Sequence, residues 1–174
     1  MSKNVLITGI TGMVGSHLAD FLLEQTDWNI FGFCRWNDNF ENIQHLFPRI
    51  NFPSLINAVE ESRPDYVFHL AAQSYPQTSF VAPLETLETN ILGTAKLLEA
   101  INKSSYEPVI HVCASSEVFG RVPKEFLPIN EEVTFHPASP YAISKVGTDL
   151  VGRYYAEAYG LTVMTTRMFT HTGP

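Results

Sequence analysis

Short continuous apolar runs alternate with helical stripes along this chain. Runs at Val5–Ile7, Ile30–Cys34, Tyr66–Ala72, Val109–Ala114 and Val163–Phe169 do not alternate in polarity. Strands covered on both faces read that way. Between them lie stretches with helical spacing. His17 to Leu23 is one; Leu84 to Ala100 carries Leu87, Ile91, Ala95 and Leu98 on one stripe; a third runs from Tyr141 to Tyr159 and stops at Gly160, a C-cap residue. Strand and helix in turn predict an α/β fold: a doubly wound parallel sheet with right-handed crossovers. Ligands of such sheets sit at the carboxyl ends of the strands.

That geometry directs attention to the turn after the first run, Thr8-Gly9-Ile10-Thr11-Gly12-Met13-Val14-Gly15. It lies between a strand and a helix, the context a dinucleotide-binding turn requires. Gly9 permits the tight turn, Gly12 lets a pyrophosphate approach the backbone, and Gly15 lets the helix pack closely. Free N–H groups at the helix start then face the phosphates. A glycine turn without a ligand is the plainer alternative.

A second signal is Ser139-Pro140-Tyr141-Ala142-Ile143-Ser144-Lys145. Tyr141 and Lys145 are four apart, so a helix puts them on one face. An ammonium beside a phenol favours the phenolate, and a phenol of lowered pKa can take a proton from a hydroxyl. A surface pair on a helix has the same spacing. The company of Ser115-Ser116-Glu117 after a central strand separates the two readings.

Composition narrows the class. The 174 residues suffice for a sizeable core. Eleven basic and 18 acidic residues give a net charge of −7 without a basic run, which argues against a nucleic-acid surface. Cys34 and Cys113 fall in apolar runs and read as buried thiols of a reducing compartment. Without a signal peptide or a membrane-length apolar run, cytoplasmic residence is the expectation. His69, His111 and His171 lie in strands or at strand ends, where buried, hydrogen-bonded imidazoles are expected. No histidine pair has metal-ligand spacing, so no metal is predicted.

Taken in order, the motifs resemble the extended short-chain dehydrogenase/reductase family, and within it the GDP-mannose 4,6-dehydratases. They are Thr8-Gly9-x-x-Gly12-x-x-Gly15, His69-Leu70-Ala71-Ala72-Gln73-Ser74, Thr89-Asn90-x-x-Gly93-Thr94, Ser115-Ser116-Glu117-Val118-Phe119-Gly120, Ser139-Pro140-Tyr141-x-x-x-Lys145 and Arg167-x-Phe169-x-His171-x-Gly173-Pro174. The resemblance implies a Rossmann domain, an NADP-like cofactor and a nucleotide-sugar substrate, GDP-linked mannose or a related GDP-hexose or heptose. Gly9, Thr11, Gly12, Met13, Gly15, Arg35, Leu70, Ala71, Ala72, Tyr141 and Lys145 would contact the cofactor. Ser115 would bond the sugar O4, Tyr141 remove its proton, and Lys145 activate Tyr141 and hold the ribose. Glu117 would take the C5 proton before water leaves C6. Ser74, Ser115, Ser116, Glu117, Thr170 and His171 would line the substrate site. A homodimer or homotetramer built through helices is also implied. A second reading is a nucleotide-sugar reductase or epimerase of the same family, which has no use for Glu117; a third is a non-catalytic dinucleotide sensor.

Arg35 favours NADP over NAD, since no acid stands at the tip of the second strand, although Asp38 lies close. Three departures from the pattern stand out. Neither the family's third strand nor the Asp that ends it is legible near residues 50–53. The family's C-terminal substrate domain has no counterpart in the 174 residues, which read as one dinucleotide-binding domain. Thr170 replaces the amide of the usual Phe-Asn-His.

Overall fold

In the computed structural model, residues 2–35, 37–54 and 57–172 are described. Six parallel strands form one sheet: β1 (Asn4–Thr8), β2 (Asn29–Phe33), β3 (Ile50–Asn51), β4 (Tyr66–His69), β5 (Val109–Cys113) and β6 (Val163–Thr166). Their spatial order is β3-β2-β1-β4-β5-β6, so the chain reverses direction of travel at β1. Crossovers on both faces bury alternate residues of one strand in different cores. Val5 and Ile7 join Ile10, Ala19, Leu22 and Ile30 under α1 (Met13–Gln25). Leu6, between them, joins Val67, Leu98, Ile101, Ile110 and Val112 on the opposite face. Two-sided burial explains the continuous apolar runs.

The third strand, not legible in the sequence, is present. Ile50 pairs with Ile30 and Asn51 with Phe31. Two residues are too few to produce a periodic signal. A 3₁₀ helix, Glu41–Arg49, leads into it and packs Ile43 and Leu46 into the α1-side core. The short α2 (Ala58–Ser62) then returns the chain to β4.

Four predicted strands end early: β2 stops at Phe33, β4 at His69, β5 at Cys113 and β6 at Thr166. Beyond the last three, Leu70, Ala72, Ala114, Met168 and Phe169 leave the sheet and wall the cleft above it. Helix α3 (Pro76–Val81) had no clear periodic signal.

The segment predicted as one helix from Leu84 to Ala100 is α4 (Pro83–Leu87), a π-helical turn (Glu88–Leu92) and α5 (Gly93–Lys103). Its buried line follows the apolar stripe only at its end. Leu98 is buried in the core, and Thr86, Asn90 and Thr94 are buried as well, while Leu87, Ile91 and Ala95 are only half-buried. The polar groups satisfy one another. Asn90 Oδ1 accepts the Gln73 N–H (2.8 Å), and Asn90 Nδ2 donates to Gln73 O (3.1 Å) and to Ser144 Oγ (2.8 Å). Its carbonyl accepts the hydroxyls of Thr94 (2.6 Å) and Thr148 (3.1 Å). A π turn, rare in general, shifts the register so that a helix presents a group off its regular line. Here that group is Asn90, which fastens the loop after β4 to α6 (Pro140–Tyr159).

Helix α6 starts at Pro140, one residue before the predicted Tyr141. Ser139 Oγ accepts the Ala142 N–H (3.0 Å), Pro140 fills the first turn, and Gly160, in the left-handed region at φ 72°, closes the helix.

Removing the Asn90 amide leaves two backbone groups of Gln73 without partners, and an unsatisfied buried polar group costs about 1–3 kcal/mol. Asn90→Ala should therefore lower the free energy of unfolding by roughly 2–4 kcal/mol. Urea denaturation followed by circular dichroism measures it, and an unchanged midpoint would contradict the role given to Asn90.

Candidate active site

At the carboxyl ends of β1, β4, β5 and β6 lies a cleft of about 850 Å³. Its floor is the glycine turn. Gly9 has φ 72°, and a Cβ there would come within 2.7 Å of the Ala71 N, so only glycine lets the turn pass the end of β4. At Gly12 a Cβ would meet no protein atom nearer than its own turn's Gly9 O at 3.4 Å. The position faces the cleft, so a side chain would fill space beside the start of α1. That cradle fits a pyrophosphate held by the helix N-terminus.

Gly9, Gly12, Met13 and Gly15 line the cleft together with Leu70, Ala72 and Ser74. From the other side come Ser115, Ser116, Glu117, Tyr141, Lys145, Thr170 and His171. Three predicted positions fall elsewhere. Ala71 faces a separate apolar pocket beside α5. Thr11 and Arg35 stand at the outer rim, where Thr11 Oγ1 donates to Asp38 (3.2 Å) and Arg35 Nε donates to the same carboxylate (3.0 Å). Gly173 and Pro174, the end of the last matched motif, lie outside the described residues.

Ser115, Tyr141 and Lys145 are all buried, at 8%, 8% and 4% exposure. Ser115 ends the exit of β5 and caps a short 3₁₀ helix, Ser116–Phe119, by accepting the Glu117 N–H at 3.2 Å. One turn of α6 separates Tyr141 from Lys145, whose Nζ lies 5.9 Å from the centre of the Tyr141 ring. Lys145 Nζ donates to Cys113 O at 2.8 Å.

The electrostatics differ from the expectation drawn from spacing. Burial raises the Tyr141 pKa above its ordinary value; bonding to Ser115 works the other way, and the nearby Cys113 and Glu117 raise it further. Burial likewise lowers the Lys145 pKa. Desolvation thus decides the direction of both shifts, because it penalises both charged forms at once. The protein alone keeps Tyr141 a phenol.

Glu117, Thr170 and His171 are exposed at the cleft rim. His171, expected buried, instead bonds the Phe169 carbonyl from Nδ1 (3.0 Å). Histidines 69 and 111 fit the expectation better: His69 is buried between the hydroxyls of Thr8 (2.8 Å) and Thr94 (3.0 Å), and half-buried His111 bonds Thr166 (2.8 Å). The two thiols are half-buried and free.

A partly buried cation fixes the rim. Arg167, at the exit of β6, pairs with the buried Asp149 of α6 (2.8 Å) and lies 5.6 Å and 4.7 Å from the ring centres of Phe119 and Phe135. It also donates to Glu131 O (3.1 Å), while Ser116 N donates to Met168 O (2.9 Å). One guanidinium therefore joins α6, the exit of β6 and the loop after Glu117.

Sequence reasoning missed Val14, Asn42, Tyr75, Pro76, Cys113, Ala114, Met168 and Phe169 as cleft residues. Asn42 sits in the aperiodic 3₁₀ segment and donates to Thr11 O (2.8 Å). Cys113 contributes its carbonyl, which no side-chain pattern reports. Among the described residues no cluster of three or more His, Cys, Asp or Glu is placed to hold a metal ion. No helix of the described residues is long and apolar enough to cross a membrane.

Residues 6–174 match the family model described as GDP-mannose 4,6 dehydratase. The chain belongs to this family. A GDP-6-deoxy-D-mannose reductase of Pseudomonas aeruginosa is 31% identical over 175 aligned positions, covering 100% of this chain and 54% of that protein. A GDP-mannose 4,6-dehydratase of Yersinia enterocolitica is 34% identical over 191 positions, covering 99% and 50%. The chain thus spans about half the length of the curated relatives it matches. Among solved structures, UDP-glucose 4-epimerase from Brucella ovis in complex with NAD superposes with a TM-score of 0.85 at 26% identity, covering 97% of this chain and 52% of that one. RMD from Pseudomonas aeruginosa complexed with NADPH gives 0.75 at 30%, covering 98% and 56%.

Burial pushes the His69 pKa down to about 4, with the Lys145 and His111 charges adding to the effect. The unfolded chain takes up that proton near 6.5. Between these values the unfolded state binds more protons, so stability falls as pH falls. A loss of about 2 kcal/mol is expected from pH 7.5 to 5. His69→Asn should flatten most of this slope in urea titrations at the two pH values; an equally steep slope would exclude His69 as its source.

Proposed function

We propose that residues 1–174 form the dinucleotide-binding domain of an enzyme that dehydrates a GDP-linked sugar, GDP-mannose or a related GDP-hexose or heptose, to its 4-keto-6-deoxy form. The observation that carries this reading is the joint placement of Ser115, Tyr141 and Lys145 beside Glu117, in one cleft with the glycine turn. A nicotinamide dinucleotide bound over that turn supplies the place where hydride is held and returned. Gly9, Gly12, Met13 and Gly15 would hold its phosphates, and Lys145 its ribose.

The residues' own work is proton handling. Tyr141 takes the proton from the sugar O4, which Ser115 orients. A phenol with a raised pKa needs help to do so, and the Lys145 ammonium gives it as the phenolate forms. Once C4 is a ketone, the proton on C5 is acidic enough for a carboxylate, and Glu117 stands at the rim to remove it. Water then leaves from C6. Ser74, Ser116, Thr170 and His171 would shape the sugar pocket.

Incubating the full-length protein with GDP-mannose and following product mass tests this directly. Loss of one water without consumption of reduced cofactor is expected. Tyr141→Phe should reduce turnover about 100- to 10,000-fold. Glu117→Gln should abolish water loss yet still permit C4 oxidation, seen as reduced cofactor building up at 340 nm, the ordinary nicotinamide signal. Normal turnover in Tyr141→Phe would sink the assignment.

A second reading, a GDP-sugar reductase, is favoured by alignment length. Matching the reductase takes 175 positions, whereas the dehydratases take 191 to 194, so they carry a stretch that this chain does not. Hydride transfer with GDP-6-deoxy-D-mannose and oxidised cofactor, without any change in water content, is the outcome that selects it.

The same reading includes a homodimer or larger homo-oligomer. Val81, Leu84, Leu92, Ile143, Leu150 and Tyr154 are all exposed by nearly half or more on the α3–α6 side. An apolar helix face without a partner of its own is what an isologous bundle buries. Sedimentation at micromolar concentration should give at least a dimer, and a monomer would refute it.

A further inference from the structure

The Glu117 carboxylate is exposed, and among the described residues no hydrogen bond or ion pair holds it. Its place is therefore set through the backbone that carries it. That backbone is the four-residue 3₁₀ helix Ser116–Phe119, and the exit of β6 holds it on both sides of Glu117. On one side Ser116 N donates to Met168 O (2.9 Å). On the other, the Arg167 guanidinium lies over the buried ring of Phe119 at 5.6 Å. His136 N donates to Val118 O (2.9 Å), which ties the following loop to the same turn. Phe135, next to His136, lies 4.7 Å from the same guanidinium.

Arg167 is held in turn by Asp149, whose carboxylate accepts from Nε (2.8 Å) and Nη2 (3.3 Å). Arg153 approaches the same carboxylate only to 3.9 Å. Asp149 is buried, one turn beyond Lys145 and two beyond Tyr141 on α6. A two-point Arg–carboxylate pair has a fixed plane, so it transmits position as well as charge. The helix that carries Tyr141 thus also fixes, through one ion pair, the turn that carries Glu117. Neither Asp149 nor Arg167 lines the cleft.

Resting on the dehydratase reading above, we infer that Asp149 and Arg167 are positioning residues for the second proton transfer: they keep the Glu117 carboxylate in register with Tyr141. Oxidation at C4 needs Ser115, Tyr141 and Lys145, which the exit of β5 and α6 place without Arg167. Loss of water needs Glu117 within reach of the C5 proton, and a displacement of about 1 Å can cost about 100-fold in rate. The pair governs the second half of the reaction and leaves the first half alone.

Single turnovers of the full-length protein with GDP-mannose read the two halves separately. Absorbance of reduced nicotinamide reports C4 oxidation, and product mass reports loss of water. The variants are Arg167→Lys, Asp149→Asn and Phe135→Leu, each checked for folding by circular dichroism. Phe135→Leu spares the ion pair, so it keeps the test decisive should the other two fail to fold. In each folded variant oxidation should stay within about threefold of the unaltered protein while water loss slows about 10- to 100-fold, so that reduced cofactor accumulates. An equal fall in both halves would mean a merely structural role and overturns the inference. So does an unchanged rate of water loss. If the unaltered protein removes no water from GDP-mannose, the dehydratase reading fails and this inference fails with it. Water loss that the variants do not uncouple from oxidation overturns this inference alone.

Discussion

The buried ammonium of Lys145 constrains the rest of the site. Moving an ammonium out of water costs several kcal/mol after relaxation, and an opposite charge or good acceptors must offset it. Lys145 has one protein acceptor, the Cys113 carbonyl at the end of β5. It has no carboxylate partner among the described residues. That single bond requires α6 to lie against the end of β5. One turn back along the helix, the same placement buries Tyr141. The helix is held there by contacts that are themselves polar and buried: Ser144 accepts from Asn90, and Thr148 donates to its carbonyl. The strain on the lysine is thus supported by a network reaching to the loop after β4. Partially satisfied buried polar networks are costly, which favours a ligand that brings hydroxyl acceptors to the remaining donors.

Arg167 is a partly buried cation, and it is treated differently. It has a buried carboxylate, Asp149, two aromatic faces and a backbone carbonyl. Asp149 lies one turn beyond Lys145 on the same helix. So α6 carries one cation that the protein leaves under-partnered and, next to it, one anion that fully engages a cation from β6. The engaged pair fastens structure. The other is available for chemistry. Charge alone does not distinguish these roles; the number and kind of partners does.

Much of this was legible in the sequence where local rules suffice. The glycine turn, the Tyr141–Lys145 spacing and the Gly160 stop are each encoded within a few residues, and the continuous apolar runs revealed a two-faced sheet. What failed was non-local. The burial of Thr86, Asn90 and Thr94 was not read, because hydrophobic counting cannot see that buried amides and hydroxyls will satisfy one another. The two-residue β3 has no period to detect. Asp38 was noted as close to Arg35, but that it turns back to bind it is a loop geometry the sequence does not state. The Tyr141 pKa was assigned from the neighbouring charge alone. Spacing reports proximity, but burial decides which effect wins, and burial depends on strands far away in the chain.

The distribution of burial across the cleft separates two kinds of function. Ser115, Tyr141 and Lys145 stand on the exit of a central strand and on the longest helix, nearly out of solvent. Positions on regular elements are held accurately, and a proton transfer at a sugar O4 requires such accuracy. Dehydratase, reductase and epimerase readings all need that transfer. Glu117, Thr170 and His171 stand on short exposed segments beyond the ends of β5 and β6. The readings diverge at C5 and C6, the atoms such a rim would meet. The half of the cleft that the three reactions share is therefore the rigid half. The half that would tell them apart is built from loops pinned mainly through Arg167 and the Ser116–Met168 bond, and it is there that a change of a few side chains would convert one chemistry into another.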